Sequence, residues 1–261
     1  MTLTCRVDAA APAAGFELIT LPDAAAVAEQ VASLLLQERL RRPQRPLGLA
    51  TGATMVPVYG AMARQLAALP VAEQRRLREQ WLSFNLDEYL GLGEADGGSF
   101  AATMARQLVG PLGLAAERVH LPDGLAGDGV AAARAYGAAL AAAGGIGLQL
   151  LGLGRNGHVG FNEPPCGPEV ACRPVQLCPS TRAANAADFG GRAEAVPAWA
   201  ITLGLREILA AERIVLVVTG AAKAAVLERL LQGPATPELP ASWLKAHPAV
   251  SVIVDREALG F

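Results

Sequence analysis

Leu148-Gln149-Leu150-Leu151-Gly152-Leu153, continuing into Gly154-Arg155-Asn156-Gly157-His158-Val159-Gly160-Phe161-Asn162-Glu163-Pro164-Pro165, is the stretch on which the fold turns. Its leucines, with almost no polar interruption, read as a strand buried on both faces, the habit of strands in parallel sheets covered by helices. The polar cluster starts where that strand stops. In open α/β sheets ligands bind in the crevice outside the carboxyl ends of the strands, so Asn156, His158 and Glu163 are placed for catalysis.

Gly152-Leu153-Gly154-Arg155-Asn156-Gly157 also matches the dinucleotide fingerprint Gly-x-Gly-x-x-Gly. That fingerprint needs a helix opening at its last glycine and an acidic residue about 20 positions on. Gly160, Pro164, Pro165, Gly167 and Pro168 forbid the helix, and Cys172 to Ser180 offers no carboxylate, so nicotinamide binding is set aside.

Outward from this core, an Ala-rich helix is expected over Val130 to Ala143, ended by Gly144-Gly145. Downstream, Pro164 to Pro197 carries many Pro and Gly residues and reads as a long irregular stretch, with a mobile lid at about 172–196. Strands follow at Ala200–Leu203, Ile214–Thr219 and Val250–Val254, with helices at Leu205–Ala211 and from Gly220-Ala221-Ala222-Lys223 to Gln232. Toward the amino end, Phe16–Leu21 and Leu47–Ala50 are strands, and Asp23 is the N-cap of a helix reaching Arg41. A helix with Pro57 in its first turn follows Thr51-Gly52-Ala53-Thr54, and Glu73–Gln80 is a solvated helix face. Trp81–Asn85 is a strand running into Leu86-Asp87-Glu88-Tyr89, Ser99–Leu108 a helix, and Arg118–Leu121 a short strand. Strands alternating with helices throughout imply an α/β fold: one doubly wound, mostly parallel sheet with helices on both faces, over a single domain at 1–261.

A strand, a Gly-containing turn with two threonines and then a helix make an anion site from free N–H groups, hydroxyls and the helix dipole; an ordinary turn capped by Thr fits Thr51 to Thr54 equally well. Lys223, one of two lysines, is either a point charge for a phosphate or a snorkelling helix residue. Asp87 and Glu88 point in different directions in extended chain, so one faces the pocket while the other forms a structural pair. His120 and His247 read as structural. With no nucleophile standing out, a carboxylate plus His158 suits proton transfer beside a carbonyl better than acyl transfer. One His and scattered acids fall short of a metal ligand set.

Bulk properties agree. The 261 residues (26.9 kDa) are 52% hydrophobic with a mean hydropathy of +0.32, enough for a large core, and a net charge of -2 leaves no footprint for nucleic acid or anionic membrane. A small soluble ligand is expected, in the cytoplasm, because Met1 to Ala10 lacks a leader pattern and no apolar run reaches the length of a membrane span. Cys5, Cys166, Cys172 and Cys178 match no zinc spacing and read as buried or loop thiols.

Leu49 through Thr54, Phe84-Asn85-Leu86-Asp87-Glu88-Tyr89-Leu90-Gly91-Leu92, Gly152 through Pro164, and the tail from Ile201 through Pro248 resemble the glucosamine-6-phosphate deaminase family and its galactosamine-6-phosphate relatives. The resemblance covers nearly the whole chain. It implies that Asp87 is the base moving a proton at C2 of the opened sugar, that His158 opens the pyranose ring, and that Glu163 holds the imidazole in tautomer and orientation. Thr51, Gly52, Ala53, Thr54 and Lys223 would hold the 6-phosphate. The implied reaction is an aldose-to-ketose isomerisation that expels ammonia and uses no cofactor, on a small amino sugar phosphate, in a chain that is a possible homo-oligomer.

Departures from the family pattern are specific. Asn156 stands where well-known bacterial members carry Asp; it can orient the imidazole but cannot share its charge. The second phosphate-binding Arg falls at Ala187, so Arg182 or another lid residue is expected to substitute. The Ser and Lys of the family's allosteric site appear as Cys166 and Val175, so allosteric activation does not carry over. Thr51 to Thr54 and Ala171-Cys172 look closer to galactosamine-type sequences, although the two substrates differ only at C4. Two other readings share the fold: a 6-phosphogluconolactonase, which would carry Asp-Glu-Arg in place of Asp87-Glu88-Tyr89, and a sugar-binding regulator, for whose helix-turn-helix there is no spare length.

Overall fold

The computed structural model describes residues 15–261. The expectations placed on Met1 to Ala10 and on Cys5 lie outside the described residues.

Chain order runs β1 (Glu17–Leu21), α1 (Ala24–Arg41), β2 (Leu47–Leu49), α2 (Met55–Ala68), α3 (Val71–Glu79), β3 (Ser83–Asn85), β4 (Asp87–Tyr89) and α4 (Phe100–Met104). It continues through α5 (Gly110–Leu112), β5 (Val119–His120), α6 (Gly129–Ala142), β6 (Leu148–Gly152), β7 (Arg173–Gln176), α7 (Pro179–Asn185), β8 (Trp199–Thr202), α8 (Leu205–Leu209), β9 (Arg213–Val218), α9 (Ala224–Gln232) and β10 (Val250–Asp255). The expected helix starts hold. Asp23 Oδ1 accepts the Ala26 N–H at 2.8 Å, and Ser99 and Asp128 cap α4 and α6 in the same way. Ser99–Leu108 is not one regular helix: Ala105–Val109 forms a π-helical turn immediately ahead of Gly110-Pro111, where the imide cannot donate to the ladder.

Seven strands form a parallel sheet in the order β1-β10-β9-β6-β2-β3-β5. From β2 the chain winds outward through β3 and β5, then β6 returns to the other side of β2 and the winding continues through β9 and β10. The order therefore reverses between β2 and β6, and the crevice outside their carboxyl ends is the switch point where such sheets bind ligands. Crossovers between parallel strands are right-handed as a rule, so winding in opposite directions from the switch point puts helices on both faces. The core follows from this burial: Leu148, Leu150 and Leu151 of β6 and Val215 to Val218 of β9 sit in one apolar cluster with Val31, Leu35 and Met62 from the helices.

One feature departs from a single sheet. Asp87–Tyr89 does not extend β3 but turns away at Leu86 into a separate antiparallel sheet, β4-β8-β7, with Asp87 opposite Thr202 and Thr202 opposite Arg173. The expected irregular stretch is correspondingly more ordered: Arg173–Gln176 is strand β7, and α7 with two 3-10 turns fills the rest to Ala195. A second apolar cluster of Tyr89, Phe100, Phe161, Leu177, Val196 and Ala200 lies under this part, apart from the main core.

Candidate active site

After β6 the chain makes a tight turn, with the Gly157 N–H donating to Gly154 O at 3.0 Å and the Gly154 N–H to His158 O at 2.9 Å. The His158 ring lies flat against Gly154, where a β-carbon would stand 2.4 Å from the imidazole, so only glycine admits it. No helix opens here, in keeping with the rejection of a dinucleotide site.

Asn156 Oδ1 lies 2.6 Å from His158 Nδ1 and also accepts the His158 backbone N–H at 3.3 Å. Burial is the main cause that pulls His158 down to about 4; the Glu163 charge opposes it and the Lys223 charge adds to it, so the ring is neutral at pH 7. The expected contact between His158 and Glu163 is not made. Glu163 instead accepts the backbone N–H of Cys178 at 2.9 Å, the Cys178 thiol at 2.8 Å and the Thr181 hydroxyl, all at the start of α7. Tertiary placement of α7, invisible in the local motif, supplies Glu163 with donors that the imidazole would otherwise be, and Asn156 takes over as the orienting partner. A cleft of about 560 Å³ opens beside Glu163, lined also by Phe161, Arg173 and Cys178; neither Asp87 nor His158 lines it.

The rest of the loop is laid across the row Asp87–Thr202–Arg173 of the small sheet, whose directly opposed side chains share one face. Gly160 (φ +57) crosses over Asp87: a β-carbon there would stand 3.1 Å from Thr202 Oγ1 and 3.5 Å from Asp87 Oδ2. Phe161 N–H donates to Thr202 Oγ1 at 3.2 Å. Asn162, fully buried, donates to Val159 O and Leu203 O and accepts from Arg173 at 2.8 Å. Thr202, Asn162 and Arg173 thus fasten the end of the His158 loop across Asp87, and sequence reasoning missed all three because their partners are distant in the chain.

Asp87 is buried, and its carboxyl is pushed up to about 8, first by desolvation and then by the Glu88 charge. Glu88 resolves the ambiguity of the pair. Its carboxylate accepts the N–H groups of Tyr89 at 2.8 Å, Phe100 at 2.9 Å and Ala101 at 2.7 Å, fixing the N-terminus of α4, so Glu88 is the structural acid and Asp87 the free one. His120 stacks on Phe84, and His247 bridges Ala211 O and the Ala249 N–H, both structural as expected.

At the switch point, Thr51 to Thr54 connect β2 to α2; Gly52 takes φ +117, Gly52 and Ala53 are exposed, and the Thr54 hydroxyl makes no capping bond. Gly152, at the end of β6, lies against Met55 at the start of α2. Lys223 reaches back to this place and donates to Leu153 O at 2.7 Å, with two donors left over. Arg182 does not join them. Its guanidinium donates to Val196 O and Glu194 O at 3.0 Å, which ties α7 to the 3-10 turn that follows. Ala187 is exposed.

Among the described residues, no group of three or more His, Cys, Asp or Glu is placed to hold a metal ion, the cysteines are free, and no helix is long and apolar enough to cross a membrane.

Residues 22–253 match the family profile of glucosamine-6-phosphate isomerases/6-phosphogluconolactonase. A glucosamine-6-phosphate deaminase of Rhodopirellula baltica is 41% identical over 242 residues, 93% of this chain and 94% of that one; one of Streptomyces avermitilis is 41% identical, covering 93% and 91%. A solved structure described as a monomeric glucosamine-6-phosphate deaminase superposes with a TM-score of 0.88 at 32% identity, over 94% of this chain and 99% of that one. The 6-phosphogluconolactonase of Trypanosoma cruzi, at 19% identity and a TM-score of 0.73, covers 94% and 96% and shares the fold.

Proposed function

The chain belongs to the family of glucosamine-6-phosphate isomerases and 6-phosphogluconolactonases, and within it we propose a glucosamine-6-phosphate deaminase that yields the ketohexose 6-phosphate and ammonia. The relatives at about 41% identity carry that name, whereas the lactonase compared above is far more distant, and the lean toward the galactosamine substrate finds no support among them. The observation that carries the reading is a buried, proton-hungry Asp87 under a loop that presents a neutral His158.

Turning an amino aldose into a ketose with loss of ammonia requires three things: an open ring, transfer of a proton from C2 to C1, and addition of one water at C2 as nitrogen leaves. His158, neutral and with Nδ1 held by Asn156, offers Nε2 to take the proton of the C1 hydroxyl and pass it to the ring oxygen. Asp87 takes the C2 proton and returns it at C1. Its raised pKa makes it a stronger base than an exposed carboxylate, and a substrate ammonium beside it favours the ionised form. Thr51 to Thr54 and Lys223 hold the phosphate, remote from the reacting carbons, so that its binding energy positions the sugar. The segment from Leu177 to Val196, fastened by Glu163 and resting on the small apolar cluster, closes over the sugar as a lid.

The test is ammonia release by the purified protein from glucosamine 6-phosphate and its C4 epimer, with acid release from 6-phosphogluconolactone as control. Ammonia from the gluco sugar with a higher kcat/KM than from the epimer is expected; acid without ammonia would replace this reading with the lactonase.

A further inference from the structure

We propose that Arg155 is the second side-chain cation of the phosphate site, in place of the arginine this chain lacks at Ala187; the inference rests on the sugar-phosphate reading above. Arg155 occupies the first central position of the Gly154–Gly157 turn, with Asn156 at the second. The two side chains part there. Asn156 folds back onto His158, while Arg155 is exposed. Several arginines near the sheet are engaged: Arg42 and Arg45 pair with Glu212, Arg213 with Glu38, and Arg39, Arg78 and Arg182 bind carbonyls. Among the described residues Arg155 has no such partner.

Its place in the fold is specific. β9, β6 and β2 are neighbours in the sheet, so the segments leaving their carboxyl ends, with Lys223, Arg155 and Thr51 to Thr54, stand side by side at the switch point. Lys223 is bonded to Leu153 O, two residues before Arg155. Burial and then the Arg155 charge hold the Lys223 ammonium below its usual range, which places the two cations within each other's field. Two like charges in each other's field repel in the free protein, and a dianion relieves both. A guanidinium fork beside an ammonium suits a phosphate, one offering paired donors and the other a point charge. Arg155 also links the phosphate to the turn that carries Asn156, so substrate binding stiffens the element that orients His158.

Inorganic phosphate is the probe, titrated calorimetrically and as an inhibitor of ammonia release, with wild type, Arg155→Ala, Arg155→Lys and the exposed helix variant Arg134→Ala as control. Arg155→Ala should weaken phosphate binding and raise KM by about 10- to 100-fold, the range of a charge-assisted hydrogen bond. Arg155→Lys should recover part of the loss, and Arg134→Ala should match wild type. Phosphate affinity and KM of Arg155→Ala within twofold of wild type would overturn the inference while leaving the deaminase reading intact. Arg155-dependent phosphate binding in a wild-type protein that releases no ammonia would uphold the inference and overturn that reading.

Discussion

Asn156 Oδ1 accepts both the backbone N–H of His158, at 3.3 Å, and the ring Nδ1–H, at 2.6 Å. A backbone N–H can only donate, so the atom it reaches is the amide oxygen; that oxygen cannot donate, so Nδ1 carries the proton and Nε2 is left with its lone pair. Nitrogen-15 NMR of the imidazole at pH 7 should show the neutral Nδ1–H tautomer. Asn156→Ala should give a tautomer mixture and lower kcat about 10-fold or more, and Asn156→Asp should raise the His158 pKa, since a carboxylate favours imidazolium.

Asp87 fixes the pH dependence. A base must be ionised, so kcat/KM should rise with pH through a midpoint near 8 in the free enzyme. The stability effect has the opposite sign: an acid whose folded pKa is raised destabilises the native state progressively as pH climbs from its unfolded value, 3.8, toward about 8. Thermal melts should show the advantage of Asp87→Asn over wild type growing from pH 5 to pH 8.5, by about 2–4 °C for each kcal/mol recovered.

The proposed lid is tied to the His158 loop through Glu163, Cys178 and Thr181. Thr181→Val removes one hydroxyl donor without reaching the reacting groups. Limited proteolysis should then cut between Leu177 and Val196 faster than in wild type, and glucosamine 6-phosphate should slow cutting in both proteins. Equal cleavage with and without the sugar phosphate would count against closure.

Lys223→Ala removes the half-buried ammonium from Leu153 O and from the proposed phosphate site. KM should rise by roughly 10- to 150-fold, the equivalent of about 1.5–3 kcal/mol, with part of the loss in kcat because the phosphate positions the sugar. Unchanged kcat/KM would make Lys223 a fold residue only.

The parallel sheet was legible because β6, β9 and β10 are apolar runs long enough to declare burial, and Asp23 marks a helix start by local chemistry. The small sheet was not. β4 spans Asp87–Tyr89 and pairs with Ala200–Thr202, more than a hundred residues on, and β7 contains Pro174, so neither leaves a local period. The same holds for side chains. Asn156 reaches His158 within its own turn, but Glu163 and Arg182 find their partners only once α7 is placed.

The most direct measurement is ammonia release from glucosamine 6-phosphate by wild type and Asp87→Asn, each folded as judged by its thermal melt, with ketohexose 6-phosphate counted alongside. Wild type should form ammonia and ketose one for one, and the variant should lose at least about 100-fold in kcat with KM nearly unchanged. An Asp87→Asn protein that releases ammonia at the wild-type rate would contradict the assignment of Asp87 as the base that moves the C2 proton.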